Sequence, residues 1–327
     1  LEFYSFLQSW EWWEFQELSW KNIIRYWIYT KNELVWVFLL IKVKAKRANY
    51  YFIPHWPLIK WHFFNIFKIV LDELKTLALL DGMSFIRINS ILKNTIINKN
   101  NFKNLWFSDA PMHEHAEDTH LLNLNIPEEE LLLNIKKKDR YYINRAIKEW
   151  VNIRIDNKID HVHQLIDMHK KHATREDWKK TYTPFSKHFI KTLYKVFWNY
   201  ISTISVSYEW HIESILMTIR FWKTCVYYIA ASDTKHPKFS PNYLCQWEAI
   251  KKAKRDWCEL YNFWWVSPDN NPKHPIAWVT KFKRKFSWYD YNLLHAKDLI
   301  LSPKYYISWA IETFRRINRG YYYKKPE

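Results

Sequence analysis

The sequence predicts an α+β protein made of two tandem modules, each a mixed sheet flanked by helices. The same succession of periodic segments (helix, three strands, helix, strand) occurs twice along the chain, on either side of residue 150. Hydrophobic residues make up 48% of the 327 positions, the share of a chain that buries cores. A third observation excludes a membrane-spanning class. The longest uninterrupted apolar run, Leu34 to Ile41, is far short of the ~20 residues a span requires.

The first module, residues 1–150, opens with a helix-like segment from Tyr4 to Glu17. Strand-like runs follow at Ile23–Thr30, Leu34–Lys44 and Asn49–Ile53, the first two joined by the turn Thr30-Lys31-Asn32-Glu33. A long amphipathic segment, His62–Leu80, leads to a strand at Ser84–Ile88. Pro127-Glu128-Glu129-Glu130 starts a linking helix, its acids facing the positive end of the helix dipole, and a second amphipathic helix runs from Lys136 to Trp150. The second module, residues 151–295, has helices at Lys158–His172 and Pro184–Phe197 and strands at Ile201–Tyr208, Glu213–Phe221 and Thr224–Ala231. A helix at Tyr243–Asp256 and a strand at Glu259–Phe263 complete it. Residues 296–327 are expected to form a basic helix, centred on Ser302 to Arg319, that packs back on the first module. In each half this order is similar to the core of the GNAT acyltransferase fold, and a duplicated module is the simplest account.

Glycine occurs twice and tryptophan 21 times, where average usage gives about 23 glycines. Many tryptophans stand where the backbone calls for glycine. Trp210 falls between two strand-like runs, the place of a tight hairpin. Trp150 ends a helical pattern, the place of a C-cap, and Trp222, Trp257, Trp265, Trp278 and Trp288 also close segments. The expectation is a gene from a bacterium that reads UGA as glycine, translated here with UGA as tryptophan. Cys225, Cys245 and Cys258 have no metal spacing and read as buried thiols of a cytosolic protein. No secretory signal is expected. The net charge of +17 favours polyanionic partners, nucleic acid or an anionic membrane surface.

Histidines cluster at His113, His115 and His120, and again at His161, His163, His169 and His172. His113 and His115 would share one face of a strand, but no Cys, Asp or Glu pattern completes a metal site, so none is expected. The second set is expected on a lysine-rich helix surface. Basic clusters stand at Lys136, Lys137 and Lys138 with Arg140 and Arg145, at Lys251, Lys252, Lys254 and Arg255, and at Lys281, Lys283, Arg284 and Lys285. In the third cluster Phe282 and Phe286 alternate with the charges, the pairing of stacking surface and phosphate neutralisation that a single-stranded RNA end requires. A solvated helix face is the default for such runs and stays open for the third as well. An acyl-CoA enzyme needs a glycine-rich pyrophosphate turn after its third core strand. Neither Ile53–Trp61 nor Ala231–Pro237 supplies one, even with tryptophan read as glycine. No nucleophilic triad, Walker loop or dinucleotide fingerprint is present.

Six segments in order carry a resemblance: QSWEWWEFQE (Gln8–Glu17), IPHWP (Ile53–Pro57), KKKDRYYINRAIKEWV (Lys136–Val151), PNYLCQWEAI (Pro241–Ile250), YNFWWV (Tyr261–Val266) and NPKHPIAWVTKFKRKF (Asn271–Phe286). With them the chain resembles the FemABX family, the peptidoglycan bridge-forming aminoacyltransferases, in the compact form without a helical arm. The match improves with Trp13, Trp56, Trp150, Trp265 and Trp278 taken as glycine, while Trp12, Trp247 and Trp264 match tryptophans. The resemblance implies two GNAT-like domains and transfer of an amino acid from aminoacyl-tRNA, the co-substrate in place of any cofactor, to the stem peptide of a lipid- or nucleotide-linked precursor. It implies a cytoplasmic enzyme, peripheral to the inner face of the membrane.

By that resemblance Lys283 is the catalytic residue, stabilising the oxyanion or leaving ribose oxygen, and Phe282 stacks on the terminal adenosine. Gln246, Tyr261, Asn262 and Trp264 line the substrate cleft, and Lys137, Lys138, Arg140, Arg145, Lys254, Arg255, Lys281 and Arg284 bind RNA or phosphate. Gln16 and Thr183 stand where family members carry phosphate-gripping basic residues. That departure keeps two alternatives open, an N-acyltransferase acting on another amine and a non-catalytic RNA- or membrane-surface-binding relative.

Overall fold

A computed structural model describes residues 5–58, 64–149, 151–157, 162–173, 184–233, 240–286 and 288–323. Trp150, His161, Thr183 and the stretches 59–61 and 234–237 lie outside the described residues, as does the expected helix start at Lys158. The chain divides into two compact units.

The first unit comprises residues 7–118, 267–275 and 291–327. Its helices are α1 (Trp10–Leu18), α2 (Phe64–Leu80) and α3 (Ile96–Asn104), with strands β1 (Asn22–Thr30), β2 (Glu33–Val43), β3 (Tyr50–Pro54), β4 (Phe85–Asn89) and β5 (Phe107–Asp109). Ser9 starts α1 by accepting the Trp12 N–H at 3.1 Å, satisfying one of the donors a helix N-terminus leaves open. Apolar alternation places Phe38, Leu40, Tyr51 and Ile53 on one sheet face, where Phe67, Leu71 and Leu74 of α2 bury against them. At roughly 25 cal/mol per Å² of apolar area, this seam is the unit's main source of stability. The tail departs from the expected helix. Lys297–Ile300 is a strand, which with the chain-order label β13 lies between β4 and β5 and pairs antiparallel with both. Its placement is fixed by charge: Arg87 on β4 makes a two-pronged bond to Asp298, 2.8 Å at each prong, and both residues are buried. Glu312 of the final helix α10 (Tyr305–Asn318) reaches Arg87 at 2.9 Å.

The second unit comprises residues 1–6, 119–266 and 276–290. A cut at residue 150 is therefore displaced. Strand β6 (Asp118–Asn123) pairs with β11 (Leu260–Trp265), so it and the helices α4 (Glu128–Asn134) and α5 (Lys137–Lys148) belong to the second sheet. Then come β7 (Asn152–Asp156), α6 (Val162–Ala173), α7 (Lys187–Phe197), β8 (Ile201–Tyr208), β9 (His211–Phe221), β10 (Thr224–Ser232), α8 (Pro241–Arg255), α9 (Ala277–Lys283) and β12 (Tyr289–Asn292). The seven-stranded sheet runs β12-β6-β11-β10-β9-β8-β7, and the six-stranded sheet of the first unit runs β1-β2-β3-β4-β13-β5. Helix α8 presents Leu244, Trp247 and Ile250 to Ile204, Leu216 and Phe263. No described helix is long and apolar enough to cross a membrane.

Backbone conformation accounts for several of the tryptophans. Gly82 and Gly320 occupy the left-handed position after α2 and α10, at φ 66° and 72°. In each case the next residue's N–H returns five residues back, Met83 to Ala78 and Tyr321 to Arg316, the bond pattern that closes a helix on glycine. Trp20 (φ 62°) and Trp257 (φ 61°) hold the same position, with Lys21 returning to Gln16 and Cys258 to Ala253. Trp106 closes α3 at φ 68°. The β8–β9 turn has Glu209 and Trp210 both at positive φ, 47° and 64°, the two-residue turn that Asn-Gly favours. Trp222, at φ 50°, is the first turn residue of the β9–β10 hairpin. Trp265 and Trp278, expected as glycine positions, are not among the positive-φ residues, whereas Trp264, matched to a family tryptophan, has φ 59°.

Candidate functional site

In the second unit, β10 and β11 begin as a parallel pair, Thr224 to Val226 against Leu260 to Asn262. The ladder ends there, although β10 continues along β9 to Ser232 and β11 continues along β6 to Trp265. A register shift between Asn262 and Trp265, with Trp264 in the left-handed region, turns β11 away. Two parallel strands that part in mid-sheet leave a wedge with open backbone groups. The corresponding pair in the first unit, β3 and β4, stays in register over all five residues from Tyr50 to Pro54. Among the described residues, β3 and β4 show no such opening.

Lys283 fills the wedge. It is the last residue of α9 and is 4% exposed. Its Nζ donates to the Trp265 carbonyl on β11 at 2.7 Å and lies 5.0 Å from the centre of the Tyr227 ring on β10. Burial pulls the ammonium down from 10.5 to about 7, because removing a cation from water disfavours the charged form. Lys283 is therefore a buried amine that exchanges its proton near neutral pH, rather than a solvated lysine or a permanently fixed charge.

Beside it lies a cavity of about 240 Å³ lined among others by Phe282, Tyr227, Gln246, Trp278 and His169. The sheet contributes the β10 face, α8 contributes Gln246, and α9 contributes Trp278 and Phe282. Gln246 Nε2 donates to the Tyr261 hydroxyl at 2.7 Å, while its buried Oε1 has no hydrogen-bond partner. An acceptor left bare in an interior costs about 1–3 kcal/mol, so the side of the cavity occupied by Gln246 is prepared for a donor. Asn262 Oδ1 accepts from the Thr119 hydroxyl and, at 2.8 Å, from the Trp264 N–H, which leaves its buried Nδ2 without a partner. Burial raises the Tyr227 and Tyr261 phenols and pushes the Cys245 thiol up to about 12, so none of these ionises near neutrality.

The sequence-derived residues separate clearly. Phe282 and Gln246 line the cavity, whereas Lys283 does not and approaches it only through the Tyr227 ring of its wall. Tyr261 and Asn262 lie behind its wall, fully buried, and Trp264 packs against Phe6 at 5.7 Å. His169, expected on a helix surface, lines the cavity and stacks on Phe185 at 5.3 Å. Of the basic residues, Lys137, Lys138, Arg255 and Lys281 are exposed. Arg140 is committed to the Leu133 and Ile135 carbonyls, both at 2.6 Å, where it caps α4. Lys254 holds the Leu124 and Ile126 carbonyls, both at 2.8 Å. Arg284 pairs with Asp290 at 2.5 Å and Arg145 with Glu149 at 3.8 Å. Gln16 is buried on α1. Sequence reading missed Tyr227 and Trp278 as cavity walls. It places Lys285 in the third basic cluster but not the grouping of Lys285 with Tyr243 and Asp139 beneath Phe282, in which Lys285 Nζ lies 3.2 Å from Asp139 and Tyr243 donates to Asp139 at 3.0 Å.

The model of the FemAB family matches residues 208–293. That span holds Lys283 and all the cavity residues named here except His169. Among solved structures, a crystal structure of FemX is similar over 94% of this chain and 94% of its own, with a TM-score of 0.79 and 15% identity. L-PGS from Bacillus licheniformis has a TM-score of 0.56 at 12% identity, covering 89% and 90% of the two chains. A tandem GNAT protein from the clavulanic acid biosynthesis pathway has a TM-score of 0.54 at 8% identity, covering 86% and 84%. No curated protein matches the sequence. At these identities the structural likeness is one of fold, two GNAT-like modules in tandem. The family resemblance read from the six sequence segments is borne out by the family match.

Proposed function

We propose that this chain, FemAB-like in sequence over residues 208–293 and FemX-like in fold, moves an amino acid from aminoacyl-tRNA to the stem peptide of a peptidoglycan precursor. The family match supports peptidoglycan bridge-forming aminoacyl transfer as a class. The observation that carries the finer reading is a buried, proton-exchanging Lys283 beside a cavity of about 240 Å³, the scale of an aminoacyl group.

The chemistry is aminolysis of an ester. The precursor's amine attacks the ester carbon, the carbonyl oxygen takes up negative charge, the C–O bond to the ribose breaks, and an amide forms. Holding amine and ester in register supplies much of the rate, up to ~7–11 kcal/mol in ideal cases. The cationic form of Lys283 stabilises the oxyanion and gives its proton to the ribose oxygen as that leaves. With its pKa near the working pH, the same amine can recover a proton from the attacking nitrogen. The bare Gln246 Oε1 suits the α-ammonium of the bound amino acid, and Phe282 offers a face on which the terminal adenosine stacks. Exposed Lys137, Lys138, Arg255 and Lys281 are left to meet phosphates.

Incubating the protein with radiolabelled aminoacyl-tRNAs and a lipid-linked muropeptide tests the reading. Label on the muropeptide supports it. Transfer only to other amines, or RNA binding without transfer, overturns it in favour of one of the two alternatives.

Helix α10 supports contact with an anionic membrane, where a lipid-linked acceptor resides. Tyr306, Phe314 and Ile317 form one exposed apolar stripe, with Phe314 and Ile317 69% and 67% exposed. The same helix carries Lys304 at its start and Arg315, Arg316 and Arg319 at its end. Such a helix lies in an interface with its apolar face down and its cations at the headgroups. The double change Phe314→Glu and Ile317→Glu is expected to abolish co-flotation with phosphatidylglycerol vesicles while leaving circular dichroism unchanged. Undiminished flotation would refute this surface.

A further inference from the structure

The loop between β5 and β6 carries His113 and Glu117, and the chain ahead of β13 carries His295, 178 residues beyond Glu117. All three lie in the first unit. Among the described residues these three side chains form a group in which one ligand atom from each lies within 4.8 Å of the others. Glu117 Oε2 is 2.7 Å from His295 Nδ1 and 3.1 Å from His113 Nδ1. The sequence reading placed His113 on a strand and found no partner for it. In the fold it sits on a loop, and the completing carboxylate and imidazole come from Glu117 and His295.

We propose that His113, Glu117 and His295 form a binding site for a divalent transition-metal ion with zinc-like preferences. Three features of the surroundings carry this. His295 Nε2 faces the Ala110 carbonyl at 2.8 Å. A carbonyl only accepts, so Nε2 carries a proton, and the hydrogen bond of Nδ1 to Glu117 is the contact a metal ion would replace by displacing its proton. Glu117 Oε1 is occupied by the Ala296 N–H at 2.6 Å and by Asn89 Nδ2 at 3.2 Å. The carboxylate is thereby oriented with Oε2 toward the two rings. An imidazole whose far N–H is tied to a carbonyl, and a carboxylate whose far oxygen is hydrogen-bonded, are the supports that orient metal ligands. Glu117 and His295 are buried, and His113 keeps 16% of its side chain exposed, which gives an ion a way in and a place for a solvent ligand.

The spacing is close to what zinc needs. Ligand bonds of ~2.0–2.2 Å in a tetrahedron put neighbouring donors about 3.3 Å apart, so Glu117 must draw back about 0.6 Å from His295 and about 0.2 Å from His113, with the two rings already within 4.8 Å of each other. Two nitrogens and one carboxylate favour zinc over magnesium or calcium, which prefer all-oxygen shells. The competing arrangement places a proton on each ring and no metal. Bound metal would tie the β5–β6 loop to the chain entering β13 and stabilise the fold by linkage. This site is independent of the proposed transfer reaction.

The test uses the full chain, stripped with a chelator and titrated with zinc by calorimetry, with cobalt as a spectroscopic probe. One equivalent of zinc should bind and raise the melting temperature, and cobalt should give the intense visible bands of a tetrahedral site. His113→Ala, at the exposed edge and least disruptive to folding, should weaken binding by roughly tenfold or more. His295→Ala and Glu117→Gln should abolish binding wherever circular dichroism shows them folded. If folded wild-type protein takes up no zinc, or His113→Ala binds as tightly as wild type, the site is a proton-bridged cluster and the proposal fails.

Discussion

Lys283→Met is expected to make the protein more stable and nearly inactive. Lys283 is 4% exposed and its pKa falls from 10.5 to about 7 on folding. In the unfolded chain the lysine stays charged up to about pH 10.4. Between about pH 7 and 10 the unfolded state therefore binds more protons than the folded one, and wild-type stability rises with pH across that window. At pH 7 the penalty of keeping this amine buried is on the order of 4 kcal/mol. Methionine removes it and loses about 1 kcal/mol from the bond to the Trp265 carbonyl. Chemical denaturation should show the variant more stable at pH 7, with the advantage shrinking toward pH 10. Transfer should fall by roughly 10²–10³-fold, the loss seen when one oxyanion donor is removed. A merely structural lysine would not give the two effects together. A variant that is stabilised yet fully active would remove Lys283 from the mechanism.

Glycine at Trp20, Trp106, Trp210, Trp222 and Trp257 is the second large expected gain. All five have φ between 50° and 68° and all are exposed, so their rings contribute little packing. A side chain in the left-handed region costs roughly 1–2 kcal/mol, and glycine returns about 0.5–1 of that as greater freedom of the unfolded chain. The net is a few tenths to about 1 kcal/mol per site, and well-separated sites add. The five-fold variant should melt several degrees above the parent at unchanged activity. A lower melting temperature would refute the argument. The same positions should carry UGA codons if the gene reads that codon as glycine, and UGG there would end that explanation.

Much of the architecture is legible in local pattern. The strands Ile201–Tyr208 and Thr224–Ala231 and the helix Tyr243–Asp256 fall within a residue or two of β8, β10 and α8, because alternation and 3.6-residue periodicity are properties of contiguous sequence. Lys297–Ile300 is different. Four residues of KDLI carry too little periodicity to mark a strand, and β13 exists because Asp298 meets Arg87 and the edges of β4 and β5 are open to it. In the site, Phe282 and Lys283 are legible from charge and aromatic alternation. The commitments of Arg140 and Lys254 to backbone carbonyls are not, since an exposed and an engaged cation look alike in sequence.

The amino-acid order alone determined that helices and strands alternate in two similar blocks, that glycine-type turns are filled by tryptophan, and that a basic, aromatic segment ends the second block. These follow from the conformational preferences of near neighbours. The tertiary structure decided where β10 and β11 part, that Lys283 loses its water in the gap, and that His113, Glu117 and His295 meet. Burial and convergence depend on residues up to about two hundred positions apart, and the desolvation that sets a lysine's proton affinity exists only once the chain has closed around it.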